Sequence, residues 1–275
     1  MEESRKSIKI MLIPTGGTIE QKHDDQGVAI PSDSRPFAEC IEKIKTRLNA
    51  HAKRYGETGE TYDISEIKLG EMLDENGEKL NKDGSNITPD DWKLLTEKIK
   101  KHYEEYDAFV ITHGTNTLGY TSSALSFALT NLAKPVILTG AQVSFGYTGS
   151  DAQMNLENAI RVAAYKKERF VGVTVVFGSI IITGTRAKKT NEFDYDTFKA
   201  FNVLNTIARI GNSVRINEEG LKFHRKSWPL VDEEKIEPLA LEDNFEMMKR
   251  IVPLTEIPGM DSDLFEHLLR IEDIP

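Results

Sequence analysis

The strongest constraint on the fold is the alternation of short apolar runs with amphipathic stretches from residue 8 to residue 177. Short apolar runs favour buried strands, and apolar residues at helical spacing favour helices between them. Strands and helices that alternate in this way predict a parallel sheet joined by right-handed crossovers. The predicted strands are residues 8–14, 62–69, 107–112, 135–139 and 171–177. The predicted helices are residues 36–55, 89–104, 118–132 and 151–166.

The pattern changes after residue 180, and we expect a second, smaller unit near the C-terminus. Residues 207–224 predict a hairpin with Gly220 in its return, and residues 225–247 predict a polar connection. We expect a strand at 251–257 and a helix at 262–271 after this connection. One strand and one helix cannot bury a core of their own, so we expect them either to dock on the first domain or to belong to a domain that another chain completes. The overall class is α/β. We expect a parallel-sheet N-terminal domain, a linker and the start of a truncated α/β C-terminal domain, at residues 1–224, 225–247 and 248–275.

Polar segments that contain glycine lie at the carboxyl ends of three predicted strands. They are TGGT at 15–18, HGTNT at 113–117 and TGAQ at 139–142. In an open parallel sheet, ligands bind beyond the carboxyl ends of the strands, so these segments predict the binding site. Residues 20–34 are polar, contain glycine and proline, and predict a mobile loop beside the first segment.

Charge and cysteine content exclude several classes of protein. The net charge of −9 disfavours binding to nucleic acid and to anionic membranes. The single cysteine, Cys40, permits neither a disulfide within the chain nor a cysteine metal cluster, which fits a reducing compartment. Residues 1–6 are charged without an apolar signal core, and the longest apolar run, 173–182, is too short to cross a bilayer. We therefore expect a cytoplasmic protein that binds neither nucleic acid nor membrane.

Two threonines in the strand-end segments, Thr18 and Thr115, suggest chemistry on a small ligand placed between them. Neighbouring glycines leave backbone N–H groups free to stabilise an oxyanion. A threonine hydroxyl is a poor nucleophile until a base removes its proton, and a lysine can be that base where burial disfavours its charged form. Taken singly, a glycine segment of this kind more often meets a requirement of backbone conformation than forms a functional site. Taken singly, Lys188 and Lys189 are more typical of a solvated surface than of a catalytic base.

Taken together, the segments resemble the L-asparaginase family. They are most similar to the bacterial type I, cytoplasmic enzymes and to the related subunit of archaeal tRNA-dependent amidotransferases. The resemblance covers nearly all of the chain, and the combination of motifs is highly specific. The segments that carry it are IPTGGTIE (13–20), GSNITPDDW (84–92), YDAFVITHGTNTLGYTSSALSF (106–127), KPVILTGAQ (134–142), GSDAQMNLENAIRVAA (149–164) and RAKKTNEFDYDTFKAFN (186–202).

The resemblance implies hydrolysis of the side-chain amide of L-asparagine to L-aspartate and ammonia. Thr18 matches the threonine that attacks the amide and forms an acyl-enzyme. Thr115 matches the second threonine of the family, and Lys189 matches the lysine that helps Thr115 to handle protons.

Further positions match residues that hold the substrate in the family. Ser85 and Asn86 match positions that bind the α-carboxylate and the α-ammonium group, and the Ala141 carbonyl matches a contact to the leaving amide. Gly17 and Gly114 lie beside the expected backbone donors. The resemblance implies neither a metal nor an organic cofactor. It implies a homodimer or homotetramer in which the neighbouring subunit's second domain completes each site.

The main departure from the family is Asn116, because relatives have HGTDT where this chain has HGTNT. Asparagine still forms hydrogen bonds, but it carries no charge. We therefore expect the substrate's α-ammonium to lose a countercharge and Lys189 to lose an anionic neighbour. The first effect weakens binding of a free amino acid, whereas the second favours Lys189 as a base.

Two further departures concern neighbouring parts of the expected site. The stretch 26–31 lacks the tyrosine with which relatives assist the nucleophile, and polar residues at 23–25 are alternatives. The family continues well beyond the motif at 258–260, which opens the second domain in relatives.

These departures leave three functions open. The leading hypothesis is an asparagine amidohydrolase that uses Thr18, Thr115 and Lys189. The second is a binding or regulatory protein that has the fold without catalysis. The third is hydrolysis of an amide that lacks a free α-ammonium, which the neutral Asn116 favours.

Overall fold

The computed structural model describes residues 7–23, 29–31, 35–55, 63–73, 82, 84–129, 132–165, 170–202 and 206–227. The predicted strand at 251–257 and helix at 262–271 lie outside these residues. The last described helix ends at Ser227, so nearly all of the predicted linker is also outside them. The division into two domains therefore stays a prediction.

The described residues form twelve strands and five α-helices. The strands are β1 (Ser7–Pro14), β2 (Gln21–His23), β3 (Ala29–Pro31), β4 (Asp63–Leu69), β5 (Ala108–Thr112), β6 (Pro135–Thr139), β7 (Gly172–Phe177), β8 (Ile180–Thr183), β9 (Ala187–Lys189), β10 (Phe198–Ala200), β11 (Thr206–Ile210) and β12 (Val214–Ile216). The helices are α1 (Arg35–Tyr55), α2 (Pro89–Lys101), α3 (Leu118–Ala128), α4 (Ala152–Ala164) and α5 (Glu218–Ser227).

Eight of these strands form one sheet in the order β12-β11-β8-β7-β6-β5-β1-β4. Neighbours from β4 to β7 pair in parallel, and β8, β11 and β12 pair antiparallel. The α/β parallel-sheet fold predicted from the sequence is therefore confirmed. Because β1 and β5 are neighbours, the segments that follow them meet at one edge of the sheet.

The central strands are buried along their whole length, whereas the edge strand β4 is buried only at some positions. A parallel sheet covered by helices on both faces has this property, which explains the continuous apolar runs of β5, β6 and β7. Alternate residues of β1 enter two apolar clusters: Ile10 and Leu12 pack with α1 and α4, and Met11 and Ile13 pack with α2. Cys40 packs against the first cluster from α1.

The predicted hairpin at 207–224 is partly wrong. Strands β11 and β12 do form a hairpin, but its turn lies at 211–213, where the Gly211 N–H donates to the Ser213 carbonyl at 3.0 Å. Gly220 lies inside α5, and its N–H donates to the Asn217 side chain at 3.2 Å. An asparagine followed by two glutamates is a helix-start signal, and it outweighs the turn preference of glycine here.

Smaller differences concern a loop and two helix ends. Part of the predicted loop at 20–34 is a two-stranded antiparallel ribbon of β2 and β3. Helix α2 begins at Pro89 as predicted and ends at Lys101, while α3 ends at Ala128, before the predicted residue 132. Among the helices of the described residues, none has the length and apolar character needed to cross a membrane.

Candidate active site

Three backbone segments meet at the carboxyl edge of the sheet, and each contributes a glycine to the contact. Gly17 follows β1, Gly114 follows β5, and Gly84 begins a 3₁₀ turn ahead of α2. A Cβ on Gly114 would lie 2.2 Å from the Gly84 Cα, and a Cβ on Gly17 would lie 2.3 Å from the Gly114 Cα. No side chain fits at these distances, so the segments pack backbone against backbone. Gly17 also has a positive φ of 81°, which favours glycine.

Backbone hydrogen bonds fix the Gly84 segment to the end of β1. The Gly17 N–H donates to the Lys82 carbonyl at 3.0 Å, and the Lys82 N–H donates to the Thr15 carbonyl at 3.2 Å. The Lys82 ammonium donates to both Asp91 carboxylate oxygens, at 2.8 and 2.9 Å. Asp91 also accepts the Thr88 N–H at 2.7 Å, so the first turn of α2 is tied to the same contact.

Three of the predicted site residues follow these glycines directly, and a fourth, Asn86, comes one position later. Thr18 follows Gly17 and is partly exposed, while Thr115 follows the buried Gly114 and is 8% exposed. Ser85 and Asn86 complete the turn that Gly84 begins, and both are exposed. Because the glycines are packed together, the backbone atoms that carry the following side chains lie close to one another.

The third predicted segment, after β6, lies against Thr115. The His113 N–H donates to the Thr139 carbonyl at 2.9 Å. A Cβ on Gly140 would lie 2.5 Å from the His113 carbonyl oxygen and 3.5 Å from the Thr115 Cγ2. Ala141, the next residue, is 1% exposed.

Lys189 links Thr115 and Asn116. Its ammonium donates to the Thr115 Oγ1 at 3.0 Å and to the Asn116 Oδ1 at 2.8 Å. The Asn116 Nδ2 then donates to the Ser85 Oγ at 2.8 Å. The Lys189 side chain is only 12% exposed, so the surface reading of this lysine is wrong. The structure thus joins Ser85, Thr115, Asn116 and Lys189 in one network.

Lys189 nevertheless has an anionic neighbour at another position, because the Glu192 carboxylate forms an ion pair with its ammonium. Strands β9 and β10 form a hairpin, and its connection returns Glu192 to Lys189. Asn191 shapes this turn, since its Oδ1 accepts the N–H groups of Phe193 at 3.1 Å and Asp194 at 2.8 Å. The sequence signal was an acidic residue three positions after the lysine.

His113 is fully buried and orients the start of the HGTNT segment. Its ring accepts from the Thr121 hydroxyl at Nε2 and donates from Nδ1 to the Gly114 carbonyl, both at 2.8 Å. This assignment of the ring proton follows from the carbonyl, which only accepts. The Trp92 Nε1–H donates to the Thr121 Oγ1 at 2.8 Å. Burial lowers the pKa of His113 to about 4, so the ring is neutral near pH 7.

Glu20, which no motif singled out, ties the ends of β1 and β5 together. Its Oε1 accepts the Gly16 N–H at 3.1 Å and the Thr112 hydroxyl at 2.5 Å. Burial raises its pKa to about 7, against the opposing effect of these hydrogen bonds. An acidic residue two positions after Thr18 was the available signal in the sequence.

The site offers two threonine hydroxyls, one lysine and glycine backbone at the strand ends of an α/β sheet. In the part of the chain that the structure describes, no group of three or more His, Cys, Asp or Glu side chains could hold a metal ion. The fold and this arrangement place the chain among α/β proteins whose candidate site lies at threonine- and glycine-containing strand ends.

The chain belongs to the asparaginase family. The family described as Asparaginase, N-terminal, matches residues 9–222. The resemblance inferred from the motifs is therefore confirmed.

Individual relatives agree with this assignment. The chain is 36% identical over 188 residues to L-asparaginase 1 of Escherichia coli strain K12, covering 68% of this chain and 51% of that protein. It is 34% identical over 197 residues to the L-asparaginase of Thermococcus kodakarensis, covering 71% of this chain and 52% of that protein. The crystal structure of L-asparaginase I from Vibrio cholerae is similar with a TM-score of 0.63 and 26% identity, covering 98% of this chain and 70% of that one. The chain spans about half the length of the curated relatives it matches here.

The glycine contact predicts a steric effect of Gly114→Ala. The added Cβ would lie 2.2 Å from the Gly84 Cα, so the two segments must separate. We expect the free energy of unfolding to fall by about 1–3 kcal/mol or more, as for overpacked cores. Urea unfolding measures it, with Gly211→Ala as the control, because a Cβ there meets nothing closer than 3.9 Å. Equal effects of the two substitutions would contradict tight backbone packing at Gly114.

Glu20 predicts a pH-dependent effect of Glu20→Gln. A carboxyl whose folded-state pKa is raised from 4.5 to about 7 binds more protons in the folded state within that window. Its contribution to stability is therefore lost as the pH rises, by at most about 3 kcal/mol. Glutamine has no such loss, so we expect the stability of the variant relative to the unsubstituted chain to increase from pH 5 to pH 8.

Urea unfolding at both pH values measures this difference, with Glu97→Gln on the exposed face of α2 as the control. The pKa of His113, lowered to about 4, makes stability fall as the pH drops below about 6.5. That contribution is common to both proteins and cancels in the difference. A difference that is the same at pH 5 and pH 8 would show that Glu20 is not the titrating group.

Proposed function

We propose that residues 1–224 form the N-terminal domain of an amidohydrolase that cleaves the side-chain amide of L-asparagine to L-aspartate and ammonia. The observation that carries the proposal is the 3.0 Å contact between the Lys189 ammonium and the Thr115 hydroxyl, beside the glycine contact that Thr18 follows. The family assignment supports the same chemistry, because the relatives named above are L-asparaginases.

In the proposed reaction, the Thr18 hydroxyl attacks the carbon of the side-chain amide. The hydroxyl proton is carried through Thr115 and Lys189 to the amide nitrogen, and the oxyanion that forms is stabilised by backbone N–H groups of the glycine segments. The C–N bond then breaks, the nitrogen leaves with a proton as ammonia, and an ester of Thr18 remains. Water attacks this ester with proton transfer through Thr115 and Lys189, which releases L-aspartate and restores the Thr18 hydroxyl.

The remaining site residues have binding roles in this proposal. Ser85 and Asn86 hold the α-carboxylate and α-ammonium groups of the substrate, and their exposed positions leave them accessible to it. The Ala141 carbonyl contacts the leaving amide, and the placement of Gly140 against Thr115 supports this assignment. Asn116 is a neutral member of the proton-handling network, bonded to both Ser85 and Lys189.

A second candidate function is hydrolysis of an amide that lacks a free α-ammonium. Asn116 offers such a substrate no unpaired charge, and it borders an open cavity of about 670 Å³ that has room for a larger group. The cavity is lined by Asn116, Gly119, Tyr120, Ser123, Ala187, Lys188, Lys189 and Glu192.

We also propose that the protein acts in the cytoplasm as a homodimer or homotetramer on a small-molecule substrate. The composition and the assigned family support these points. Light scattering of the full protein after size-exclusion chromatography measures the oligomeric state, and a monomer would contradict this part of the proposal.

Thr18→Ala tests the function directly. Without the nucleophile we expect ammonia release from L-asparagine to fall by about a thousandfold or more, as for other removed nucleophiles. Thr46→Ala is the matched control, because Thr46 is an exposed residue of α1 whose hydroxyl donates only to the Glu42 carbonyl. The rate of ammonia release at saturating L-asparagine is the measurement.

Three outcomes separate the alternatives. Release that survives Thr18→Ala would contradict the proposed nucleophile. Faster cleavage of N-acetyl-L-asparagine than of L-asparagine would favour the second candidate function. If the unsubstituted chain releases no ammonia and Asn116→Asp does not restore release, either the retained fold serves binding rather than hydrolysis or the site needs a second domain to complete it.

A further inference from the structure

Lys189 is held by three acceptors, only one of which is charged. A lysine ammonium has three N–H donors, and its partners among the described residues are the Thr115 Oγ1, the Asn116 Oδ1 and the Glu192 carboxylate. The hydroxyl and the amide are neutral. Glu192 therefore supplies the only negative charge in direct contact with this ammonium within the described part of the chain.

Glu192 approaches Lys189 from the surface of the molecule. Its side chain is 78% exposed, whereas that of Lys189 is 12% exposed. The turn that carries Glu192 is held by Asn191, and Thr190 and Thr197 close it through an N–H to carbonyl hydrogen bond of 2.8 Å. The carboxylate is thus presented by a hydrogen-bonded hairpin of β9 and β10, outside the three glycine-packed segments.

Asn116 faces the network differently from an aspartate. Its Oδ1 accepts from Lys189 at 2.8 Å, while its Nδ2 donates to the Ser85 Oγ at 2.8 Å. A carboxylate at this position could accept from Lys189 but could not donate to Ser85. The asparagine therefore orients the Ser85 hydroxyl and leaves the charge on Lys189 to another residue.

We propose that Glu192 is a positioning residue that supplies to Lys189 the negative charge that the neutral Asn116 does not supply. Glu192 acts on the reaction through Lys189, which it holds within hydrogen-bonding distance of Thr115. This inference rests on the proposed function, because the reaction is the setting in which the Lys189–Thr115 contact matters.

A double-mutant cycle tests the proposal, with Glu192→Gln, Asn116→Asp and the double substitution compared with the unsubstituted chain. Glu192→Gln should lower kcat for L-asparagine about tenfold and change KM little, because Glu192 contacts Lys189 rather than the substrate. In the presence of Asn116→Asp, the same substitution should cost less than twofold, since the carboxylate at 116 replaces the lost charge. Asp194→Asn in the same turn is the control and should leave kcat unchanged.

Equal losses of kcat for Glu192→Gln in the two backgrounds would overturn the proposal, because independent sites add without coupling. An unchanged kcat for Glu192→Gln in the Asn116 background would also overturn it. A loss confined to KM would instead indicate direct contact between Glu192 and the substrate, which contradicts the positioning role.

A second measurement does not depend on turnover. The ion pair with Glu192 holds the Lys189 side chain against Thr115 and away from an added reagent. Glu192→Gln should therefore speed acetylation of Lys189 by acetic anhydride several-fold in the Asn116 background, and not in the Asn116→Asp background. Mass spectrometry of peptides reads the rate, with the adjacent, exposed Lys188 as the internal control.

The two measurements separate failure of this inference from failure of the proposed function. If no variant releases ammonia but acetylation of Lys189 follows the expected pattern, the proposed reaction is wrong and the role of Glu192 stands. If ammonia is released and the acetylation rate of Lys189 is the same with and without Glu192→Gln, the proposed reaction stands and this inference is wrong.

Discussion

The backbone contact among Gly17, Gly84 and Gly114 is the interaction on which the site depends. At Cβ distances of 2.2 and 2.3 Å to the opposing Cα atoms, any side chain would force the segments apart. The sheet creates the need for this contact, because the parallel pairing of β1 with β5 delivers two of the segments to the same edge. Thr18, Ser85 and Thr115 follow the glycines and are therefore brought together by backbone packing alone.

Polar contacts around this core hold the segments in register. Lys82 and Asp91 tie the Gly84 turn to α2, and His113 is fixed by hydrogen bonds at both ring nitrogens. Glu20 joins the ends of β1 and β5 at the cost of burying a carboxyl, which raises its pKa to about 7. Burial destabilises the ionised form of the Glu20 carboxyl, and the hydrogen bonds from Gly16 and Thr112 offset only part of that penalty.

Sequence and structure agree where local pattern decides the outcome and differ where tertiary contacts do. Continuous apolar runs were sufficient for β5, β6 and β7, and the start of α2 at Pro89 was predicted correctly. The three-residue spacing of Lys189 and Glu192 was a signal but did not fix their pairing, because the pairing depends on how the β9–β10 hairpin folds back. Gly84 was missed for a similar reason, since its partners Gly17 and Gly114 are distant in the chain. The helix that contains Gly220 was not predicted, because the turn preference of glycine was given priority over the helix-start signal at Asn217.

In the proposed reaction, Thr18 rather than Thr115 lies at the amide carbon and attacks it. Rapid acid quenching of the full chain during hydrolysis of L-asparagine, followed by peptide mass spectrometry, tests this placement most directly. We expect an aspartyl ester on the peptide that contains Thr18, and its absence after Thr18→Ala. An ester on the peptide that contains Thr115, or ammonia release without any ester on Thr18, would contradict it.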